Sequence, residues 1–261
     1  MKNVYRYDDN ATYWDKRWEN AKEDAQVFTS LDIYPIKYAE MVMKDRSKYA
    51  LEIGCGLGRV LKHYHYRGFN IEGIERSKVA VQSIKEEGRE ILIQQGDAVN
   101  LPYRDNSFDV VMAFGVYHNF EHGLEEGVSE VSRILKSNGR YVISMRPNNI
   151  EMHLNEYYWR YRQKHRNNEN RSFHKVLVGK REFEKILEDR NLIVENTYYS
   201  RNLSTLYRLT CLRDKSQKTE TERRSGGYRL NRVGRIIDKL ICTVAPYQSS
   251  NVIIFIGRKK Q

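Results

Sequence analysis

From Tyr49 onward the chain alternates short apolar runs with helical stretches, and this rhythm restricts the fold more than any other feature. Strands of a parallel sheet are covered on both faces, so they read as near-continuous apolar runs, and each crossover between them needs a helix. Five runs are expected strands: YALEI (49–53), FNIEGI (69–74), EILIQ (90–94), FDVVMAF (108–114) and RYVISM (140–145). Helices are expected near 58–66, 77–87 and 121–136. GKREFEKILEDRN then reads as another helix, LIVENTYY (192–199) as a sixth strand and NVIIFIG (251–257) as a last one. The expected class is α/β.

Residues 1–48 read instead as helix and turn, with YWDKRWENAKEDA early and a second amphipathic stretch entered through Pro35; no strand is expected there. With 261 residues, 40% apolar and 11% aromatic, the chain can bury a core, which excludes a disordered or fibrous protein. Cys55, Cys211 and Cys242 are odd in number and lack ligand spacing, so neither a disulfide framework nor a zinc site is expected, and a reducing cytoplasm is the expected location. Uninterrupted apolar runs reach only the length of Val252–Ile256, and MKNVYRYDDN has no apolar leader core, so neither membrane spanning nor secretion is expected.

The formal charge of +11 is not spread evenly. Residues 146–182 hold nine basic and four acidic side chains, and residues 200–249 hold eleven and four, which leaves the rest of the chain close to neutral. The basic character belongs to two insertions in the α/β rhythm and points to an anionic partner on that side.

The first expected strand runs into Glu52-Ile53-Gly54-Cys55-Gly56-Leu57-Gly58 and then a helix. Glycines permit a tight turn and close backbone approach, and the following helix N-terminus favours an anionic group such as a carboxylate or phosphate. A dinucleotide fingerprint would need glycine where Arg59 stands, and the phosphate-loop ending G-K-[ST] is absent. Glu52 before the glycines disfavours a phosphate and suits a ligand bearing an ammonium group, as S-adenosylmethionine does.

With this run come Gly73-Ile74-Glu75-Arg76-Ser77, Gly96-Asp97-Ala98 with Leu101-Pro102, Ser107-Phe108-Asp109-Val110-Val111, and Arg133-Ile134-Leu135-Lys136-Ser137-Asn138-Gly139. Together these motifs resemble the class I S-adenosylmethionine-dependent methyltransferases of the methyltransferase type 11 kind, over roughly residues 10–200 and again at the last strand. Ser137-Asn138 departs from the family's Pro-Gly, and residues 200–249 have no clear counterpart. The resemblance implies a Rossmann-like class I fold, a mostly parallel seven-stranded sheet with flanking helices and a helical basic cap.

It also implies a cofactor site for S-adenosylmethionine. Gly54, Cys55 and Gly56 would meet the methionine end, with Glu52 near its ammonium; Cys55 would contribute backbone only. Glu75 would accept both ribose hydroxyls. Asp97 and the backbone of Ala98 would bind adenine beside Arg76, between the apolar faces of Ile74 and Val99, and Phe114 would approach the methyl. Tyr13-Trp14-Asp15-Lys16-Arg17-Trp18 resembles the family's lid element, in which Tyr13 would cap the methionine moiety and Arg17 would pair with its carboxylate; the alternative is simple packing of Tyr13, Trp14 and Trp18 on the core.

Methyl transfer is an in-line displacement, so alignment and exclusion of water matter most. His118 is the expected base if the acceptor is a hydroxyl, against a structural role for it, and Tyr117 is a weaker acceptor-site candidate. The insertions are expected to roof the methyl with Tyr157, Tyr158, Trp159, Arg160, Tyr161, Arg162, His165 and Arg171, a set suited to a planar or anionic acceptor; Tyr158 and Arg162 are the expected substrate contacts. The competing reading is an amphipathic helix whose charges are solvated.

The expected plan is an N-terminal helical lid (1–48), a cofactor-binding core (49–145), a basic aromatic cap insertion (146–182), a core helix and strand (183–199), a second basic cap insertion (200–249) and a last core strand and tail (250–261). The expected partner is a small-molecule or lipid-linked acceptor. The alternatives are an RNA methyltransferase using the basic insertions, and a non-catalytic S-adenosylmethionine-binding protein. For Gly234-Arg235-Ile236-Ile237-Asp238-Lys239-Leu240-Ile241, core packing is preferred over a membrane-surface role.

Overall fold

A computed structural model describes residues 1–6, 18, 34–88, 90–162, 171–201, 205–216 and 229–261. Its centre is a seven-stranded sheet of β2 (Ala50–Ile53), β3 (Ile71–Glu75), β4 (Ile93–Gln95), β5 (Phe108–Ala113), β6 (Leu135–Met145), β8 (Leu192–Ser200) and β9 (Val252–Lys259). The spatial order is β4-β3-β2-β5-β6-β9-β8. Only β9 runs antiparallel to its neighbours.

Alternate residues of each strand enter opposite cores. Leu51, Ile53, Val111 and Ala113 pack on one face with Val128 and Val131 of α4 (Leu124–Ile134) and Phe183 of α6 (Lys180–Glu188). Ala50, Val110 and Met112 pack on the other with Ile36 of α1 (Ile36–Ala39), Val60 and Leu61 of α2 (Arg59–His65), and Val81 and Ile84 of α3 (Lys78–Glu87). Double coverage explains why these strands are apolar throughout.

Three local expectations are corrected. The third core strand begins at Ile93 rather than at residue 90. The turn expected at Ser137-Asn138-Gly139 is a bulge inside β6: the pairing jumps from Phe108↔Leu135 to Val110↔Arg140, with Asn138 left-handed at φ 60°. The N-terminal region does contain a strand, β1 (Lys2–Arg6), which pairs antiparallel with β7 (Ser172–Leu177) inside the first insertion. In β1 only Val4 is buried, and it meets Leu177 of β7 and Met152 of α5 (Ile150–Arg162) in a small separate core, while Phe173 and Val176 of β7 join the main core.

This β1-β7-α5 unit is joined to the second insertion. Glu151 of α5 accepts from the Thr205 amide at 2.7 Å and pairs with Arg201 at 3.0 Å. Arg201 also reaches Asp238 of α7 (Arg232–Val244) at 3.3 Å, and α8 (Pro246–Ser249) contacts both α5 and α7. The N-terminus and both insertions therefore build one cap. Among the described residues, no helix is long and apolar enough to cross a membrane.

Candidate cofactor and acceptor site

Sheet order places β2 beside β5, with crossovers leaving in opposite directions. In open α/β sheets the crevice at such a point, beyond the carboxyl ends of the strands, is where ligands bind. The glycine loop leaves β2 there. Gly54, Gly56 and Gly58 have φ of 64°, 55° and 76°, a region that disfavours side chains. A Cβ at Gly54 would lie 2.5 Å from Val116 Cγ2, and one at Gly56 would lie 2.9 Å from the Trp18 ring. The loop is thus a cradle that only glycine lines, with Trp18 of the lid element resting on it. Tyr13, Trp14 and Arg17 lie outside the described residues.

Glu75, at the end of β3, accepts from the Gly56 amide through Oε2 and from the Ser77 amide through Oε1, both at 2.9 Å. One N–H on each oxygen fixes the carboxylate and leaves further lone pairs, the arrangement a vicinal diol needs. Asp97 sits after β4 in a turn, its Oδ1 accepting from the Val99 amide at 3.2 Å. Asp97, Arg76 and Val99 line a cavity of about 330 Å³ with Asn119, Phe120, His122 and, from the cap, Ser172 and Phe173. Ala98 is buried beside them, whereas Ile74 is sunk in the core and only limits Gly96, where a Cβ would meet its Cδ1 at 2.5 Å. A glycine cradle, a fixed strand-end carboxylate and a second acid bordering a cavity fit S-adenosylmethionine.

Glu52 is placed differently from the expectation. It is only 4% exposed and accepts from the Leu61 amide at 2.7 Å, so one oxygen serves the first turn of α2 rather than a ligand ammonium. Burial pushes its carboxyl up to about 8, against the pull of the Leu61 N–H and Arg59. Between the ordinary glutamate range and pH 8 the folded chain therefore holds a proton that the unfolded chain has lost, and stability falls as pH rises through that window. Glu52→Gln keeps an acceptor for Leu61. It is expected to flatten that decline, read as a thermal midpoint less sensitive to pH. Cys55 is buried and its thiol is pushed well up by burial, so it contributes backbone and packing.

The loop after β5 carries the remaining candidates. Phe114 stands edge-on to Tyr34, ring centroids 5.7 Å apart, and the Tyr34 hydroxyl bonds to Ser144 Oγ, which also accepts from the Gly115 amide at 2.9 Å. Nothing in the sequence pattern singled out Tyr34 or Ser144, since each is an isolated polar residue in an apolar stretch. Tyr117 is fully buried and donates to the Gly127 carbonyl, so it is a core residue and not an acceptor contact. His118 is 8% exposed, and its Nδ1 has no hydrogen-bond partner among the described residues. Burial, then Arg146, Lys175 and His174, hold its pKa well below the usual value. At neutral pH the ring is therefore neutral and can accept a hydrogen bond. Strand β7 of the cap lies directly against this loop.

Tyr158 and Arg162 do not border the 330 Å³ cavity. Tyr158 is covered by the Arg208 guanidinium, 3.9 Å from its ring centroid, and Arg162 is exposed beside it. Arg160, Tyr157 and Tyr161 are also exposed, Trp159 lies beneath the Arg6 guanidinium, and His165 lies outside the described residues. The cap instead brings up Arg6 and Lys175, both on Glu156 Oε1 at 2.8 and 2.7 Å and nearly buried. These three were missed because isolated charges in strands and helices normally mark solvated positions.

Fold and site define the class I, S-adenosylmethionine-dependent methyltransferase architecture. Residues 51–143 match the family model described as a methyltransferase domain. S-adenosylmethionine is the cofactor of that fold and family. Over 113 residues the chain is 33% identical to the uncharacterized methyltransferase YcgJ of Bacillus subtilis, covering 41% of this chain and 43% of the relative. It is 30% identical over 101 residues to the tRNA (carboxymethyluridine(34)-5-O)-methyltransferase of Arabidopsis thaliana, covering 36% and 23%. It is 31% identical over 112 residues to the phthiotriol/phenolphthiotriol dimycocerosates methyltransferase of Mycobacterium tuberculosis, covering 39% of each. The chain thus spans less than half the length of these curated relatives. A chain from the solved complex of the Haloferax volcanii Trm112 methyltransferase activator with its companion protein superposes with a TM-score of 0.61 at 16% identity, covering 97% of both.

Proposed function

We propose that this chain transfers the methyl of S-adenosylmethionine to a small or lipid-linked metabolite carrying an anionic group. The observation that carries this reading is the closure of β7 over the loop after β5, which sets Lys175, Arg146 and His174 against His118 beside the cofactor crevice. S-adenosylmethionine, when bound, supplies an electrophilic methyl. In this reading Gly54 and Gly56 admit its methionine end, Glu75 orients the ribose, Asp97 and the Ala98 backbone face adenine, and Phe114 borders the methyl. The cap excludes water, and Arg146, which donates to the neutral Asn251 carbonyl, meets the acceptor's charge while Lys175 stays paired with Glu156. His118 accepts a hydrogen bond from the acceptor and does not titrate in the working range.

An RNA acceptor is supported by the match to the Arabidopsis tRNA enzyme and by the basic insertions. Weighing against it, several of those cations are committed inside the cap: Lys175 and Arg6 to Glu156, Arg201 to Glu151 and Asp238, and Arg208 to Tyr158 and Asn155. They do not make a groove that tracks a phosphate backbone. The test is production of S-adenosylhomocysteine with a metabolite and lipid extract against total tRNA. Turnover on the extract alone is expected; turnover on tRNA with a steep salt dependence would move the assignment to RNA, and cofactor binding without turnover on either would make the chain a binding protein.

His118 provides a second check. His118→Asn is expected to lower turnover by about tenfold while leaving the pH profile between about 6 and 9 unchanged in shape. An inflection in the parent profile that disappears in the variant would restore the role of titrating base.

A further inference from the structure

Helix α7 is amphipathic, but it is mounted the opposite way from a core helix. Its inner side carries Gly234, whose absent Cβ lets the backbone come against the Leu212 carbonyl, Asp238, paired with Arg201 at 3.3 Å, and the half-buried Ile237, Ile241 and Cys242. Val233, Ile236, Leu240 and Val244, spaced at helical periodicity on one face, point outward and are 58%, 70%, 63% and 76% exposed. The core packing expected from the sequence is met only in part, by the half-buried Ile237 and Ile241. Arg232, Arg235 and Lys239 are exposed on the same helix, and its one acid is turned inward.

We propose that this face docks on an anionic lipid surface, with α7 lying in the plane of the headgroups. A row of aliphatic side chains edged by cations matches the apolar and anionic layers of such a surface. Charge complementarity also argues against a second copy as the occupant, since facing helices would set three cations against three. RNA would leave the aliphatic row without a partner. A contiguous exposed apolar row is uncommon on a monomer and marks an interaction surface. The inference stands whether or not the chain methylates a lipid-linked acceptor, because binding is read without turnover.

The test is flotation of the full chain with phosphatidylcholine vesicles, with and without phosphatidylglycerol. Binding is expected only with phosphatidylglycerol, weakening as salt rises. Ile236→Ser with Leu240→Ser is expected to reduce the bound fraction by about tenfold or more, as is Arg235→Glu with Lys239→Glu. Both variants should keep the parent's thermal midpoint and affinity for S-adenosylhomocysteine, since these side chains lie on the outer face of the cap. Failure to float with phosphatidylglycerol, equal flotation of the Ser variant, or a parent dimer that the Ser variant converts to monomer would each overturn the proposal, the last assigning the face to a second copy.

Discussion

Replacing Glu75 with alanine is expected to weaken binding of S-adenosylmethionine and S-adenosylhomocysteine by on the order of a hundredfold or more, measured by titration calorimetry. The carboxylate is held by the Gly56 and Ser77 amides, and in the proposed reading it accepts two ribose hydroxyls. Alanine removes those contacts and leaves two loop amides without their acceptor, so the cradle itself loosens. Glu75→Gln is expected to fall between: its single carbonyl oxygen satisfies one amide, while its NH2 is turned toward the other donor. Asp97→Ala should cost less, about tenfold, because its carboxylate serves a local turn and would take one adenine hydrogen bond. Unchanged affinity in Glu75→Ala would remove the crevice from consideration as the cofactor site.

The second large effect is on the cap. Glu156 is the only acid in contact with Arg6 and Lys175 among the described residues, and all three are at most 11% exposed. Burial pushes its carboxyl up, but Lys175 and Arg6 outweigh this and hold it below the ordinary value. Glu156→Ala leaves two buried cations uncompensated, a loss of about 3–5 kcal/mol by analogy with other broken buried pairs. The expected readout is a lower thermal midpoint, with preferential proteolysis of the cap. Replacing Glu156, Arg6 and Lys175 together by methionine should recover most of the midpoint, because an apolar trio needs no partner. The sign with pH follows from the lowered carboxyl: its stabilisation is complete above the unfolded glutamate value and is lost as pH falls through the lower folded one. A midpoint for Glu156→Ala equal to that of the parent would show that the triad does not hold the cap.

The sheet was legible because its strands are buried on both faces, so YALEI and FDVVMAF announce themselves without reference to partners. The place of Glu75 and Asp97 in the fold was legible for a related reason: one ends its strand and the other stands just past its own, and strand ends share one edge. The cap was not. Lys2–Arg6 contributes only Val4 to a core, and its partner strand lies at Ser172–Leu177, a pairing that local periodicity does not reveal. Tyr117 looked like a polar loop residue because sequence does not show that Gly127 opens a slot for its ring, where a Cβ would lie 2.6 Å away. Helix α7 shows the same limit from the other side. Its periodicity told that an apolar face exists, and only the fold shows what that face meets.

The pairing of Lys2 with Leu177 also sets an order of assembly. A ribosome delivering this chain must make every strand from β2 to β6 before β1 has anything to pair with. The parallel strands β2 to β6 can condense from near-neighbour segments, whereas the β1–β7 pairing joins residues far apart in the chain and forms later. Nascent chains halted before β7 should therefore possess a cofactor crevice open to solvent, and mature ones a covered chamber.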